Sequence, residues 1–469
     1  MCKNIVFRTI KTPRGQYAYD RNTNAIISLT NNEYDELHRV EIGEVIPVQS
    51  NLVKHFQGFG LFTPNEVVDI EHYGSRRIAL YAKTRMKQLI LQITTQCNLR
   101  CAYCTYAGNY TGQRTHANQQ MSLAISSKAI DFFLERNNEI SEVVIGFYGG
   151  EPLLEFSLLK QSVEYAKSLV EGKTIHFNMT TNGTLLTDAV VDYLVENDFY
   201  LSISIDGSKE EHDRNRKFVN GTGSFDIIIS NIKRLLNRYP EFSPNVSFMT
   251  TINPHMDLEC VLEYFSSSEV FSDRTIIFNN MAEQHYNGSI DYDYDYYRIR
   301  KYEYVKMLFA LINKVDGRDV SPLVGRAREA IAKRRKSINN RVSIPTTTHH
   351  GGPCLPGVMR LFVRVDGSLF PCERVGELMD YYRIGTLQDG LDIERIKELM
   401  NIGKLTKNEC ISCWGLRMCM ICSAQVEFKS IPKKEDKVKE CPKSLTKCNF
   451  DLYELCVLSE YGYDAEGDM

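Results

Sequence analysis

Cys97-Asn98-Leu99-Arg100-Cys101-Ala102-Tyr103-Cys104 decides how the rest of the chain reads. Its three cysteines, spaced CxxxCxxC, come directly after the apolar run Leu89-Ile90-Leu91-Gln92-Ile93, so they fall on a loop at the carboxyl end of an expected strand. Three thiolates can hold three irons of a [4Fe–4S] cube, and the loop contains no fourth cysteine. The fourth iron is then open to a ligand that is not protein. The alternatives are a zinc knuckle or three buried thiols. A closed structural zinc site takes four ligands, usually as paired CxxC or CxxC/HxxxH units, and no such partner pair follows within reach.

Outward from that loop, composition sets the frame. A chain of 469 residues is too long for one small core and points to two or three domains. Hydrophobic content of 43% and charged content of 25% are those of an ordinary globular protein, and a net charge of −3 gives no electrostatic case for nucleic acid or a membrane surface. No apolar run has the length of a membrane span and the N-terminus lacks a signal-peptide pattern, so a cytoplasmic location is expected. Fourteen cysteines are many for a reducing compartment unless most are ligands, and nine of them lie between Cys354 and Cys456.

Residues 1–85 read as a small α+β module. Lys3–Thr9, Gln16–Asp20 and Ala25–Leu29 are strand-like, Arg21–Asn24 is a turn, and Thr30 or Asn31 caps a helix over Asn32–Arg39, with a second helix over Leu52–Phe59. Residues 86–300 alternate strands with helices. The strands are Gln88–Ile93, Val143–Phe147, Thr174–Met179, Tyr200–Ile205, Val246–Ile252 and Thr275–Phe278. The helices between them are Leu123–Asn137, Phe156–Glu171, Asp188–Glu196, Gly223–Arg238 and Leu258–Ser266. Six β/α units imply a parallel sheet with its ligand site at the carboxyl ends of the strands, where the three cysteines sit. Residues 301–345 form connecting helices, with a basic one over Ala327–Lys336, and Ser343–Pro353, carrying His349 and His350, reads as a solvated linker. The Tyr- and Asp-rich stretch Tyr286–Tyr304 lacks the glycine and glutamate of an EF-hand and reads as an exposed face leading into a helix.

With Tyr103 as the aromatic residue, the CxxxCxΦC loop resembles the signature of the radical S-adenosylmethionine (SAM) superfamily. Three further motifs fall in that family's order: Gly149-Gly150-Glu151-Pro152 after the second strand, Thr181-Asn182-Gly183-Thr184 after the third, and Ser204-Ile205-Asp206-Gly207 after the fourth, leading to Arg216. The resemblance implies a partial (β/α)6 TIM-like barrel over residues 86–300. It implies that Cys97, Cys101 and Cys104 hold a [4Fe–4S] cluster whose open iron chelates SAM, which one electron cleaves to a 5′-deoxyadenosyl radical. The implied SAM-binding set is Tyr103, Gly149, Gly150, Glu151, Asn182, Ser204 and Arg216. In that set the two glycines let backbone approach the ligand, Glu151 faces the SAM amino group, Ser204 the ribose and Arg216 the carboxylate. His212 and Asp213 order the loop, and Arg214, two residues from Arg216, is its rival for the clamp.

The C-terminal cysteines run Cys354, Cys372, then Cys410-x2-Cys413-x5-Cys419-x2-Cys422, then Cys441, Cys448 and Cys456. This resembles the SPASM domain of sulfatase and peptide maturases, placed here at residues 346–469. Carried over by position, Cys410, Cys413, Cys419 and Cys441 hold an outer auxiliary [4Fe–4S] cluster, and Cys354, Cys372 and Cys422 an inner one. Two departures stand out. Cys419 and Cys422 have two residues between them where the family has three, and Arg360 occupies a position where sulfatase maturases have a further cysteine. The inner cluster is then one ligand short unless Cys448 or Cys456 fills in. Cys2 and Cys260 read as unligated.

Together these resemblances imply a radical SAM peptide maturase with three [4Fe–4S] clusters, a precursor peptide as substrate and a flavodoxin- or ferredoxin-like electron donor. Residues 1–85 would be a winged-helix-like element that binds the peptide's leader, although a lid or dimerisation arm fits the same pattern. Thioether cross-linking is the leading expected outcome. Carbon–carbon cross-linking, epimerisation and formylglycine formation are its rivals, and a non-enzymatic Fe–S electron carrier is the alternative from another class.

Overall fold

The computed structural model describes residues 5–170, 172–271, 274–338 and 341–463. Cys2, Lys3 and Glu171, at which expected features begin or end, lie outside the described residues. The chain forms two compact units, one of Met1–Ser75, Glu303–Cys354 and Glu398–Met469, the other of Arg76–Tyr302 and Leu355–Lys397.

The first unit opens with an antiparallel sheet of β1 (Phe7–Lys11), β2 (Gln16–Asp20) and β3 (Ala25–Leu29), in that spatial order. Thr30 caps α1 (Asn31–Glu41) through a full capping box, the Glu33 carboxylate returning to accept from the Thr30 N–H at 2.7 Å. With α2 (Asn51–Gln57) these elements enclose Phe7, Ala18, Leu29, Leu37, Val40, Val53 and Phe62. The segment is not separate from the C-terminal cysteines. Buried Arg21, in the turn after β2, donates to the Ile411 carbonyl at 2.7 Å and the Cys413 carbonyl at 3.3 Å. Arg417 answers by donating to the carbonyls of Arg21 and Asn22 at 2.7 and 2.8 Å. The first segment of this unit ends at Ser75 rather than at residue 85, and the expected solvated linker is corrected, since His350 is 1% exposed.

The second unit is built on six parallel strands whose neighbours in space are their neighbours in sequence: β4 (Gln88–Thr94), β5 (Glu142–Gly149), β6 (Thr174–Thr181), β7 (Tyr200–Ser204), β8 (Val246–Ile252) and β9 (Ile276–Asn280). Between them run α3 (Leu123–Leu134), α4 (Phe156–Ser168), α5 (Asp188–Glu196), α6 (Lys209–Asn215), α7 (Phe225–Arg238) and α8 (Leu258–Ser267). Side-chain oxygens of Ser122, Thr187, Ser208 and Asp257 cap α3, α5, α6 and α8, which turns the chain from strand end into helix at defined residues. Leu89, Leu91, Ile93, Ile145, Phe147, Leu201 and Ile203 are fully buried, as strands covered by helices require.

A seventh parallel strand, β10 (Leu361–Val363), pairs with the outer side of β4 and leads into three short antiparallel strands. Residues 355–397 thus fold with the β/α repeat, and the span 346–469 is divided between the two units rather than standing alone. Residues from β4 to β8, together with Thr275, Arg360 and Glu373, line a cavity of about 430 Å³.

Candidate metal centre

Everything at the site follows from strand ends. After β4 the chain enters the cysteine loop, which is pinned from below by backbone bonds. The N–H of Arg100 donates to the Lys217 carbonyl at 2.7 Å and that of Ala102 to the Asn215 carbonyl at 3.1 Å. The three thiols are neighbours: Cys104 raises the pKa of Cys97, and both Cys104 and Cys97 raise that of Cys101. Burial first, then neighbouring negative charge, pushes Cys97 up to about 11, and burial pushes Cys101 up to about 12. Each sulfur also meets nitrogen. The Leu99 N–H and the Asn182 amide approach Cys97 Sγ at 3.4 and 3.9 Å, and Arg216 Nη1 lies 4.0 Å from Cys101 Sγ. The Tyr106 N–H and His116 Nε2 approach Cys104 Sγ at 3.4 and 3.8 Å. Three sulfurs ringed by donors suit a negatively charged Fe–S cube, whose sulfurs accept such bonds. Among the described residues no three His, Cys, Asp or Glu side chains converge tightly enough for a single metal ion.

The glycines of the second motif are required by the protein's own backbone. Gly149 has φ +146°, and a Cβ there would stand 2.1 Å from the Thr94 carbonyl oxygen; at Gly150 it would stand 1.9 Å from that of Gln96. They let the end of β5 lie against the entry of the cysteine loop. Glu151 is 1% exposed, and its carboxylate accepts from the Leu153 N–H, the Thr181 hydroxyl and the Asn182 N–H at 3.1, 2.7 and 2.7 Å. Burial raises its pKa to about 6 against those bonds. With three of about four lone-pair directions taken, its first task is to tie the ends of β5 and β6 together.

Arg216 and Arg214 separate cleanly. Arg216 is 6% exposed; its Nε donates to Asp206 Oδ2 at 2.9 Å, and it lies over the Tyr103 ring. Arg214 is half exposed and pairs with Glu211 and the His255 carbonyl. His212 and Asp213 order the loop as expected. The His212 ring bonds the Asp206 N–H and the Ser224 hydroxyl, and Asp213 accepts from the N–H groups of Ser224 and Phe225. Asp206 itself was not singled out in the sequence. It is fully buried, takes the Tyr103 hydroxyl and Arg216 on one oxygen and the Thr251 N–H on the other, and so fixes both expected SAM-binding side chains. Ser204, at the end of β7, lies two residues before it. Also missed was a buried knot in which Arg114, Arg364 and Gln92 converge on Glu377, with Arg114 stacked on Tyr106 beside the loop.

In the other unit, Cys410, Cys413, Cys419 and Cys441 form one neighbourhood, the thiol of Cys413 being pushed up to about 11 by burial and by the other three. Cys448, buried, stands beside Cys419 and Cys413, whereas Cys456 lies by Glu460 and Arg335. Cys354 is exposed and Cys422 partly so, while Cys372, which belongs to the unit of the β/α repeat, is partly exposed. Arg360, at the position of the missing ligand and also in the unit of the β/α repeat, pairs with Glu373 at 2.7 Å.

Residues 91–266 match the family model described as the Radical SAM superfamily. An uncharacterized protein of Methanocaldococcus jannaschii is 33% identical over 195 residues, covering 41% of this chain and 62% of its own length. A cysteine-type anaerobic sulfatase-maturating enzyme of Clostridium novyi is 26% identical over 335 residues, covering 69% of this chain and 81% of its own. The solved structure of native anSMEcpe with bound AdoMet and Kp18Cys peptide superposes with a TM-score of 0.55 at 22% identity, over 78% of this chain and 99% of that one. The fold is shared.

Proposed function

Because the chain carries a radical SAM domain over residues 91–266, we propose that it is a peptide maturase that forms a thioether between a cysteine sulfur and a carbon of its substrate. When bound, the cluster and SAM supply a hydrogen-abstracting radical. The protein's part is to hold and insulate. Cys97, Cys101 and Cys104 are the cluster ligands, and the donors around their sulfurs offset its negative charge. Arg216, braced by Asp206, keeps N–H groups beyond its Nε available for the SAM carboxylate, while Asn182 and Glu151 shape the wall at the ends of β5 and β6. Tyr103, Gly149, Gly150 and Ser204 complete that pocket.

The observation that carries the reading is the convergence of the three thiols with Arg216 and Asn182 at the strand ends. The sulfatase-maturating relative and the peptide in the solved neighbour favour a peptide substrate. The cavity lined by Tyr148, Asn178, Ser202, Arg360 and Glu373 offers polar groups for such a segment. Two auxiliary clusters, at the cysteine sets assigned above, belong to the same reading, as do leader binding by β1–β3, an external electron donor and a cytoplasmic setting. The relation to sulfatase maturases keeps formylglycine formation as the second reading. No helix among the described residues is long and apolar enough to cross a membrane.

The test is anaerobic reconstitution followed by assay of 5′-deoxyadenosine with and without a cysteine-containing precursor peptide. Replacing Cys97, Cys101 and Cys104 with Ala should abolish SAM cleavage and remove about a third of roughly twelve irons. Survival of SAM cleavage in that triple variant would defeat the assignment. A peptide product lighter by two hydrogens and resistant to thiol alkylation supports the thioether, and an aldehyde in its place selects the second reading.

A further inference from the structure

Lys437, on helix α9 (Lys434–Glu460), is 1% exposed, which is rare for an ammonium. Its Nζ lies 3.9 Å from Cys410 Sγ, and its backbone carbonyl accepts from Cys441 Sγ at 3.7 Å. Cys410 Sγ also meets the hydroxyl of fully buried Thr406 at 3.3 Å. Among the described residues no carboxylate pairs with Lys437. Glu409, whose carboxylate feels the charge, is held by Lys434 at 2.5 Å. The other neighbours are the imidazoles of His349 and His350, which cannot carry negative charge. His349 is already committed to the Gly403 N–H at 2.9 Å, and both ring nitrogens of His350 are buried without a partner.

A buried cation without an anion is among the costliest arrangements a fold can hold. Free thiols do not neutralise it, whereas four thiolates on an Fe–S cube do, because the cube with its ligands is an anion. That anion gains one further negative charge on reduction, so a fixed ammonium against one of its sulfurs favours the reduced state. We propose that Lys437 is the built-in counter-charge of the auxiliary cluster held by Cys410, Cys413, Cys419 and Cys441, and that it raises that cluster's midpoint potential so that the site accepts an electron readily. The inference rests on the auxiliary-cluster reading above. It adds a residue that acts on the cluster through Cys410 and touches no substrate.

The experiment is a potentiometric titration, followed by electron paramagnetic resonance, of the full-length reconstituted protein with its iron content measured in parallel. Lys437→Met should lower one midpoint by a factor of ten or more in the reduced-to-oxidised ratio, about 59 mV for one electron. The remaining midpoints and the iron content should stay in place, and Lys437→Arg should restore the shifted value. Lys437→Gln, which keeps an N–H donor but drops the charge, should shift in the same direction, and it takes the place of the Met variant if that one loses iron. Full iron with unmoved midpoints in the neutral variants overturns the inference alone. Wild-type protein that holds only about four irons overturns the auxiliary-cluster reading, and the inference falls with it.

Discussion

The side chain that organises the site is one the motifs pass over. Asp206 accepts from Tyr103, Arg216 and the Thr251 N–H while wholly buried, so it sets the direction in which Arg216 can point. Arg216→Ala should weaken SAM binding about ten-fold or more, since a charge-assisted bond to a partly buried group contributes about 1.5–3 kcal/mol. Arg214→Ala, which removes the pair with Glu211 and the bond to the His255 carbonyl, should bind SAM as the parent does. Equilibrium dialysis on cluster-loaded protein separates the two, and the opposite ranking would mean that the clamp is misassigned by two residues. The cysteine loop was marked by its spacing, and Arg216 by the family resemblance. Asp206 was not, because its partners Tyr103 and Thr251 are far along the chain and only the fold brings them together. The same holds for Glu377, which meets Gln92, Arg114 and Arg364 from three separate stretches.

At the scale of elements, the ends of β4 and β5 are held together by absence of side chains. An alanine at Gly150 would drive its Cβ into the Gln96 carbonyl oxygen, one residue before Cys97, and that carbonyl has no flexible end to swing away. Overpacking of this kind costs about 1–3 kcal/mol in a core and more against backbone. Gly150→Ala should therefore lower the Tm by several degrees and reduce iron retained per chain, measured by calorimetry and iron analysis. A variant with unchanged iron would show that the loop can shift freely. Val246–Ile252 and Asp188–Glu196 match their expected bounds, since long periodic runs with clear caps carry their own signal. β10 was unreadable, because three buried residues, Leu361–Val363, have no period to detect and acquire strand character only from β4. His350 was misread for a related reason: a polar, glycine-flanked stretch looks solvated, and nothing local reveals that the fold covers it.

For the molecule as a whole, buried neutral histidines make stability depend on acid. Burial, with Arg216 adding to it, holds His212 down at about 4, and burial holds His116 at about 4. A folded pKa below the unfolded value near 6.5 means that the stabilisation is complete above pH 6.5 and is lost as pH falls towards 4. At pH 5 the loss from His212 alone is about 2 kcal/mol. Glu151 and Glu454, raised to about 6 and about 7, act in the opposite sense, so the informative comparison is between variants. Urea midpoints of cluster-free protein should drop between pH 7 and pH 5 more steeply for the parent than for His212→Asn, and equal slopes would remove His212 from the account. The pairing of β10 with β4 has one more consequence, in time. Leu361 and its partner Leu89 are made 272 positions apart, so at about 5–20 residues per second β4 waits on the order of 15–50 s on the ribosome for its second neighbour. Through that interval the strand leading to the cysteine loop is an unpaired apolar edge, vulnerable to association with other nascent chains. Slowing elongation should thus lower the yield of active protein, and a chaperone that shields nascent edges should recover it.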